Sequence, residues 1–174
     1  KTIGYSAYDE GISVDQTKSG ELIISSTRKY FEGDYDGDIG VYKLNSKNGN
    51  INDQFVLGGG DDSGKSLTST SDGGYLTAIN STATNREKDM LLMKFDQNGN
   101  YQWESYYGAN NGHNDNVNDV KETFDDTGNS TGYILTGDNG SQDITYKIDK
   151  NGKEEWDASF SGDTVNGVNQ IFDS

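Results

Sequence analysis

The stretch Asp72-Gly73-Gly74-Tyr75-Leu76-Thr77-Ala78 decides the fold, because a glycine turn stands directly before a run of apolar and small side chains. The same order returns at Gly132-Tyr133-Ile134-Leu135-Thr136-Gly137 and, in a weaker form, at Gly20-Glu21-Leu22-Ile23-Ile24. A glycine turn followed by such a run is typical of the start of a β-strand. The chain therefore contains three copies of one strand-forming unit.

Further landmarks recur in each copy with a period of about 50 residues, as in repeat proteins. A run that begins at an aspartate follows the first one, at Asp38–Leu44, Asp89–Asp96 and Asp143–Asp149. The glycines that close the units are 54, 50 and 54 residues apart: Gly4, Gly58, Gly108 and Gly162. These landmarks divide the chain into units 4–58, 58–108 and 108–162, and residues 163–174 resemble the first strand of a further unit.

Each unit contains four short β-like runs. In the second unit they are 67–70, Tyr75–Ile79, Met90–Phe95 and Tyr101–Tyr107. The turn Gln97-Asn98-Gly99-Asn100 joins the last two, and an Asn-Gly pair between such runs is a strong hairpin signal. No segment combines a helical period with helix caps. The sequence predicts an all-β chain of antiparallel hairpins.

The third run of a unit is apolar at nearly every position, as in Met90-Leu91-Leu92-Met93. A strand with one face in water alternates polar and apolar residues, so a continuous run indicates a sheet covered on both faces. Three four-stranded antiparallel units stacked radially meet this need, which predicts a β-propeller. A β-solenoid is the alternative, although its coils are usually shorter. Since propellers have four to eight blades, we expect these units to belong to a larger propeller or to be completed by other chains.

Two units share the pattern Asp-x-x-Gly-x-x-x-Trp, at Asp96–Trp103 and Asp149–Trp156. The pattern resembles the tryptophan-docking motif of quinoprotein-like β-propellers, and the Asp-Gly-Gly-Tyr order is similar to propeller repeats of unknown function in secreted microbial proteins. The resemblance implies that Trp103 and Trp156 pack between neighbouring blades; stacking on sugars is the alternative role. It also implies structural roles for the other residues of the motif: Asp96, Asp149, Gly99 and Gly152. The first unit departs from the pattern, because Asp53 lies near the tryptophan position.

Charge and composition exclude several classes of protein. With 14 basic and 29 acidic residues the net charge is −15, so the chain repels the phosphates of nucleic acids. No apolar run approaches the ~20 residues of a membrane span. The chain has no cysteine, which excludes disulfides, zinc-thiolate sites and thiol nucleophiles. A quinoprotein-like oxidoreductase is a disfavoured alternative, because enzymes of that family use a pair of adjacent cysteines.

The densest carboxylate cluster is Asp34-Tyr35-Asp36-Gly37-Asp38. Its alternating carboxylates, Asp34, Asp36 and Asp38, suit Ca²⁺, which binds six to eight oxygen ligands. The cluster is not an EF-hand loop, because Ile39 stands where that loop needs glycine. A solvated acidic hairpin loop is the alternative, and Asp38 is also a landmark of the repeat.

Two other polar clusters favour turns over metal sites. Asn114-Asp115-Asn116, with Asn118 and Asp119 nearby, and Asp61-Asp62 one unit earlier are typical of loops held by Asx hydrogen bonds. His113 stands in a polar loop with no serine or carboxylate that the sequence places beside it, so we expect no catalytic triad.

The recurrent lysines, Lys43, Lys94 and Lys147, have a structural interpretation and a functional one, as a binding ladder. Lys94 and Lys147 precede the aspartates of the docking motif by two residues, so each pair lies on one face of its strand. The spacing therefore predicts ion pairs from Lys94 to Asp96 and from Lys147 to Asp149.

The functional prediction is a non-catalytic binding or structural module that presents propeller loops to a protein or glycan partner. An acidic, cysteine-free chain rich in Asn, Gly, Ser and Thr is typical of bacterial and archaeal proteins outside the cell or on its surface. The alternative is self-association, in which the segments Thr2–Tyr5 and Val168–Phe172 pair between chains by strand addition.

Overall fold

The computed structural model describes residues 8–29, 37–57, 62–82, 88–108, 113–161 and 165–170. These residues form twelve β-strands in three sheets and no helix. Sheet 1 consists of β1 (Tyr8–Gln16), β2 (Leu22–Lys29), β3 (Asp38–Leu44) and β4 (Ile51–Leu57). Sheet 2 consists of β5 (Ser63–Ser69), β6 (Tyr75–Ser81), β7 (Asp89–Phe95) and β8 (Tyr101–Tyr107). Sheet 3 consists of β9 (Asn116–Phe124), β10 (Ser130–Asp138), β11 (Asp143–Ile148) and β12 (Glu154–Phe160).

The strands of each sheet are antiparallel and neighbour one another in chain order. The all-β prediction is confirmed. The segment 165–170 belongs to none of the twelve strands. The residues from 171 onwards lie outside the described part of the chain, so the further first strand predicted from residue 163 stays a prediction.

Glycines with positive φ lie in the turns of the hairpins. Gly99 and Gly152 have φ of +83° and +79°, a region in which glycine alone is unstrained. In each turn the glycine N–H donates to the carbonyl of the aspartate three residues earlier, at 3.1 Å. The Asp-x-x-Gly order therefore forms a tight connection between the third and fourth strands of sheets 2 and 3.

The first strand of every sheet carries a β-bulge at the same repeat position. The register with the second strand skips one residue in each case, at Ile12, Lys65 and Asn118, which are 53 residues apart. A bulge bends its strand and increases the local twist. The three first strands therefore share one bend as well as one sequence position.

Two apolar layers hold the sheets together. Ile23 and Val41 of sheet 1 pack with Leu91 of sheet 2, while Leu92 of sheet 2 packs with Leu135 of sheet 3. Neighbouring residues of β7 thus serve different layers, because side chains alternate across a strand. Full burial of one such side chain is worth about 1.5–3 kcal/mol. The continuous apolar run of β7 therefore reflects a sheet covered on both faces.

The sheets approach one another most closely at their first strands. β1 contacts β5 and β5 contacts β9, more extensively than any other strands from different sheets. Ser13 Oγ donates to the carbonyl of Leu67 at 3.3 Å, and Ser66 Oγ donates to Asp119 Oδ1 at 2.7 Å. The three sheets therefore converge along one line of first strands.

Candidate interaction surface

Trp103 lies on β8, in register with Lys94, and faces sheet 3. Its indole packs against the core between sheets 2 and 3, and the ring centroid is 6.0 Å from that of Tyr133. The ring also lies on the backbone of the Gly152 turn, where an added Cβ would be 2.8 Å from the indole. The side chain thus docks sheet 2 on a glycine that leaves room for it.

Tyr107 extends this contact four residues further along the same face of β8. Its hydroxyl donates to the carbonyl of Gly152 at 2.5 Å, and its ring centroid is 5.7 Å from that of Tyr146. Burial raises the pKa of Tyr107 to about 12. Trp103 and Tyr107 are the two aromatic residues through which sheet 2 contacts sheet 3, and we call them the docking residues of sheet 2.

Sheet 1 docks on sheet 2 through a different position of the repeat. Phe55 stacks on Tyr75 with ring centroids 5.9 Å apart, and its ring lies 3.1 Å from the place of a Cβ on Gly99. Asp53 stands at the tryptophan position, in register with Lys43, so the aromatic residue is two places further on the same face. The repeat pattern predicted no docking role for Phe55, because Phe55 does not align with Trp103. The alternation of faces along β4 is the signal that identifies it, since Phe55 and Asp53 lie on the same face.

The predicted pairs Lys94–Asp96 and Lys147–Asp149 are wrong. Lys94 Nζ lies 2.8 Å from Asp72, and Lys147 Nζ lies 3.0 Å from Glu155. The physical reason is that the aspartates of the motif accept hydrogen bonds from their own turns. Asp96 Oδ1 accepts from the N–H groups of Asn98 and Asn100 at 2.8 and 2.9 Å, and Asp149 Oδ1 accepts in the same way from Asn151 and Lys153.

Lys94 is buried and satisfied within its own sheet. Besides Asp72 it donates to the carbonyl of Phe95 at 3.0 Å and to Gln102 at 3.1 Å. Burial alone would raise the pKa of Asp72, but hydrogen bonds from Lys94, Thr70 and the Gly74 amide outweigh it and hold that pKa below the usual range. Lys94 is therefore structural.

Lys43 is the recurrent lysine that reaches another sheet. It donates to the carbonyl of Gln97 in the turn of sheet 2, and its Nζ lies 5.8 Å from the centre of the Tyr75 ring. Its position between sheets 1 and 2 matches that of Phe55, so it also serves the docking of these sheets.

The polar residues near the first strands join neighbouring sheets. Asp15 Oδ2 accepts from the N–H of Ser69 at 2.8 Å, and Asp119 Oδ1 accepts from Ser66 Oγ at 2.7 Å. Asn116 Oδ1 accepts from Asn80 at 3.0 Å. Asp119 and Asn116, which belong to a predicted polar cluster, therefore take part in contacts between elements.

The rest of that cluster lies at the entry to sheet 3. Asn114 Oδ1 accepts from the N–H of Lys88 at 3.0 Å, and Asp115 is buried. Gly108, which has φ of +141°, lies against this carboxylate: an added Cβ would be 1.9 Å from Asp115 Oδ2. The closing glycine of the second unit is therefore fixed by close approach. Gly4, Gly58 and Gly162 lie outside the described residues.

The candidate calcium ligands Asp34 and Asp36 lie outside the described residues, and so does Asp61. Asp38 begins β3, opposite Arg28. Asp62 is buried, and its N–H donates to the carbonyl of Gly37 at 3.1 Å. Within the described ranges no three His, Asp or Glu side chains are grouped closely enough to hold a metal ion, and no helix is long and apolar enough to cross a membrane.

The outward face of sheet 3 carries a second aromatic pair. Trp156 and Phe160 follow Trp103 and Tyr107 by 53 residues and are 49% and 44% exposed. Trp156 is in register with Lys147, and the neighbouring Ile148 points into the core, so the indole points away from sheet 2. The docking residues of sheet 2 therefore recur on sheet 3 without a described sheet on them.

The outward face of sheet 1 also carries apolar side chains, but two of them, Tyr42 and Leu44, are already buried. Val14, Ile51 and Val56 are 61%, 43% and 47% exposed and lie on the side away from sheet 2. The turn at Gly49 has φ of +66°, and no atom of the described residues lies within 4 Å of the place of a Cβ on it. This glycine stands where Gly99 and Gly152 stand in the other sheets, but no ring covers it.

Comparison with known proteins supports the fold alone. No family model matches the sequence, and no curated protein matches it. Among solved structures, a protein of unknown function from Bacteroides caccae, determined at 1.35 Å, superposes with a TM-score of 0.55 and 17% sequence identity. The match covers 90% of this chain and 48% of that protein, so this chain spans about half the length of the protein it resembles.

Proposed function

We propose that the chain is a non-catalytic interaction module of β-propeller type. The convergence of the three sheets along β1, β5 and β9 carries the proposal, because a stack that is tighter on one side is a sector of a ring. Repeated docking of an aromatic ring on a turn glycine, at Gly99 and Gly152, supports the same arrangement. A β-solenoid would bring successive coils together evenly along their strands.

The use of the polar side chains supports a role without catalysis. Asp96 and Asp149 hold turns, Asp15 and Asp119 join sheets, and Lys94 is bonded within sheet 2. Each of these groups makes a hydrogen bond that holds a turn or joins strands, so each of them has a structural role.

We propose folded protein as the partner class in preference to glycans. Both outward sheet faces expose apolar side chains, and the equivalent faces inside the chain are covered by protein. Single exposed apolar residues are ordinary on protein surfaces. Here they recur at the positions that dock one sheet on the next, which favours a protein surface as the complement.

The test applies the fluorescently labelled chain to intact cells of the producing organism. We expect saturable binding that is removed by treating the cells beforehand with protease and retained after treatment with glycosidases. Binding removed by glycosidases alone would assign a glycan partner, and lack of saturable binding would contradict the proposal.

We also propose that the protein works outside the cell or on its surface, because the chain combines a net charge of −15 with a complete lack of cysteine. Brief protease treatment of intact producing cells is the test. Release of peptides from this chain before those of a cytoplasmic marker is expected, and simultaneous release would contradict it.

A further inference from the structure

We propose that a second copy of this chain docks head to tail on the outward face of sheet 3, and that residues 165–170 compete with it. The inference rests on the proposed β-propeller arrangement.

The face of the first copy that docks on the second is the outward face of sheet 3, and it is defined by Trp156 and Phe160. In sheet 2 the same two positions, Trp103 and Tyr107, are covered by the next sheet. The covering elements there are a tyrosine at the start of the second strand, Tyr133, and a glycine turn. The complement of Trp156 is therefore a sheet with these two elements at the same positions.

Sheet 1 of a second copy offers those elements. Leu22 pairs with Leu44 as Tyr75 pairs with Phe95, so Leu22 holds the position of the receiving tyrosine. Gly49 leaves open the space that Phe55 fills over Gly99 and that Trp103 fills over Gly152. Val14 and Val56 extend the receiving face. Tyr42, the counterpart of the Tyr146 that contacts Tyr107, lies on this face and is only 3% exposed, so docking of Phe160 has to displace the residues that cover it.

The contact joins two different faces, so two copies can form it twice and close a ring. Three sheets from each copy give six, which is within the four to eight blades of known propellers. The solved structure that resembles this chain is matched over 48% of its length, so about one further unit of this size lies outside the match. A closed dimer is therefore the assembly that the two faces predict.

Residues 165–170 lie where the first strand of the second copy has to enter. The Asn118 side chain donates to the carbonyl of Val165 at 2.9 Å. Gln170 forms two bonds of 2.7 Å with the backbone of Phe124, and both run through its side chain. Since β5 occupies the equivalent place beside β1, docking of a second copy requires this segment to leave β9.

The first test is sedimentation velocity of the 174-residue chain over a range of concentrations. We expect reversible formation of a species of twice 19.0 kDa. Gln170→Ala removes the two bonds to Phe124 and is expected to tighten dimerisation about tenfold. Trp156→Glu and Val56→Glu, one on each face, are each expected to leave a monomer.

The matched control is Ser159→Glu, which adds the same charge to β12 on the side opposite to Trp156 and is expected to dimerise like the parent. Circular dichroism and urea unfolding establish that each variant is folded. The proposal is overturned if the parent and Gln170→Ala both remain monomeric, if Trp156→Glu dimerises like the parent, or if open polymers form in place of dimers.

The second test uses the lack of cysteine in this chain. Ser105 Oγ lies 2.8 Å from the place of a Cβ on Gly152, and the corresponding residues across the proposed contact are Ala158 and Gly49. A chain with both Ala158→Cys and Gly49→Cys is expected to form a disulfide-linked dimer, whereas either change alone is not. Crosslinking through Ala158→Cys alone would show two like faces in contact and overturn the head-to-tail geometry.

The outcomes separate this inference from the proposed function. A monomeric parent that still binds to cells removes the second copy as the partner and retains the module. A dimeric parent without binding to cells supports the docking and contradicts the proposed binding function.

Discussion

Trp103 and Trp156 occupy the same position of the repeat, yet they have different environments. Trp103 packs on Tyr133 and on the Gly152 turn, whereas Trp156 is 49% exposed on β12. The register with the preceding lysine is the same in both sheets. Strand register therefore decides which face a side chain takes, and the neighbouring sheet decides whether that face is buried.

The largest expected effect is on stability. Trp103→Ala is expected to lower the free energy of unfolding by about 3 kcal/mol, because it removes a partly buried ring that packs against the core between two sheets. Trp156→Ala is expected to lower it by less than about 1 kcal/mol. Urea unfolding measures both, in a Val56→Glu background that prevents docking of a second copy. Equal losses would show that the two indoles have the same environment.

Two glycines of sheet 3 share a backbone conformation but differ in whether a ring covers them. Gly152 and Gly128 have nearly the same φ, +79° and +81°, but only Gly152 lies under the Trp103 ring. Replacement by alanine is expected to cost about 1–2 kcal/mol at Gly128 for the backbone, and about 1–3 kcal/mol more at Gly152 for the clash with the ring. The measurement is urea unfolding. Equal costs would mean that the ring does not press on the turn.

A third comparison concerns the buried lysine of sheet 2 and the more exposed lysine of sheet 3. Lys94→Met is expected to lower the free energy of unfolding by about 1 kcal/mol, and Lys147→Met by less, since the side chains are 2% and 12% exposed. Thermal melts at neutral pH measure the difference. A larger loss for Lys147→Met would contradict the structural role of Lys94.

The contact of Lys94 with Asp72 makes the stability of the fold depend on pH. The folded pKa of Asp72 is held below its usual 3.8, so its contribution to stability is present above that pH and is lost as the pH falls through the lower folded value. Stability below about pH 4 is therefore expected to fall less steeply in Lys94→Met than in the parent. Parallel slopes in an acid series of melts would contradict this.

The smallest effect is expected at the exposed Asp125 turn. Hydrogen bonds from the Thr127 hydroxyl and from the Asn129 N–H and side chain lower the pKa of Asp125 to about 2. Its stabilising effect is present above 3.8 and is lost as the pH falls towards 2. Nuclear magnetic resonance titration of the carboxyl carbon checks the value, and a midpoint near 4 would show that the turn is open in solution.

The hairpins were predictable because their residues are neighbours in the chain. β8 begins and ends at Tyr101 and Tyr107 as the repeat predicted, and the Asp-x-x-Gly turns need only local hydrogen bonds and a glycine with positive φ. Such features depend on four to seven consecutive residues. The sequence contains all the information that they require.

The contacts between sheets were less predictable. Phe55 replaces the missing tryptophan from two positions away, because only the alternation of faces has to be kept. Asp72 pairs with Lys94, which lies 22 residues further along the chain. The spacing of these two residues does not show that the turn containing Asp72 lies beside Lys94. The exposure of Trp156 depends on the sheet next to it, which its own sequence position does not specify.

The accessibility of the two indoles to acrylamide tests the docking of the sheets most directly. Trp156→Phe leaves Trp103 as the single tryptophan, and Trp103→Phe leaves Trp156; both are excited at about 295 nm, where tyrosine absorbs little, and measured in the Val56→Glu background. We predict a quenching constant several times larger for Trp156, because its ring faces water while sheet 3 covers Trp103. Equal quenching of both indoles in the folded protein would contradict the docking of sheet 2 on sheet 3.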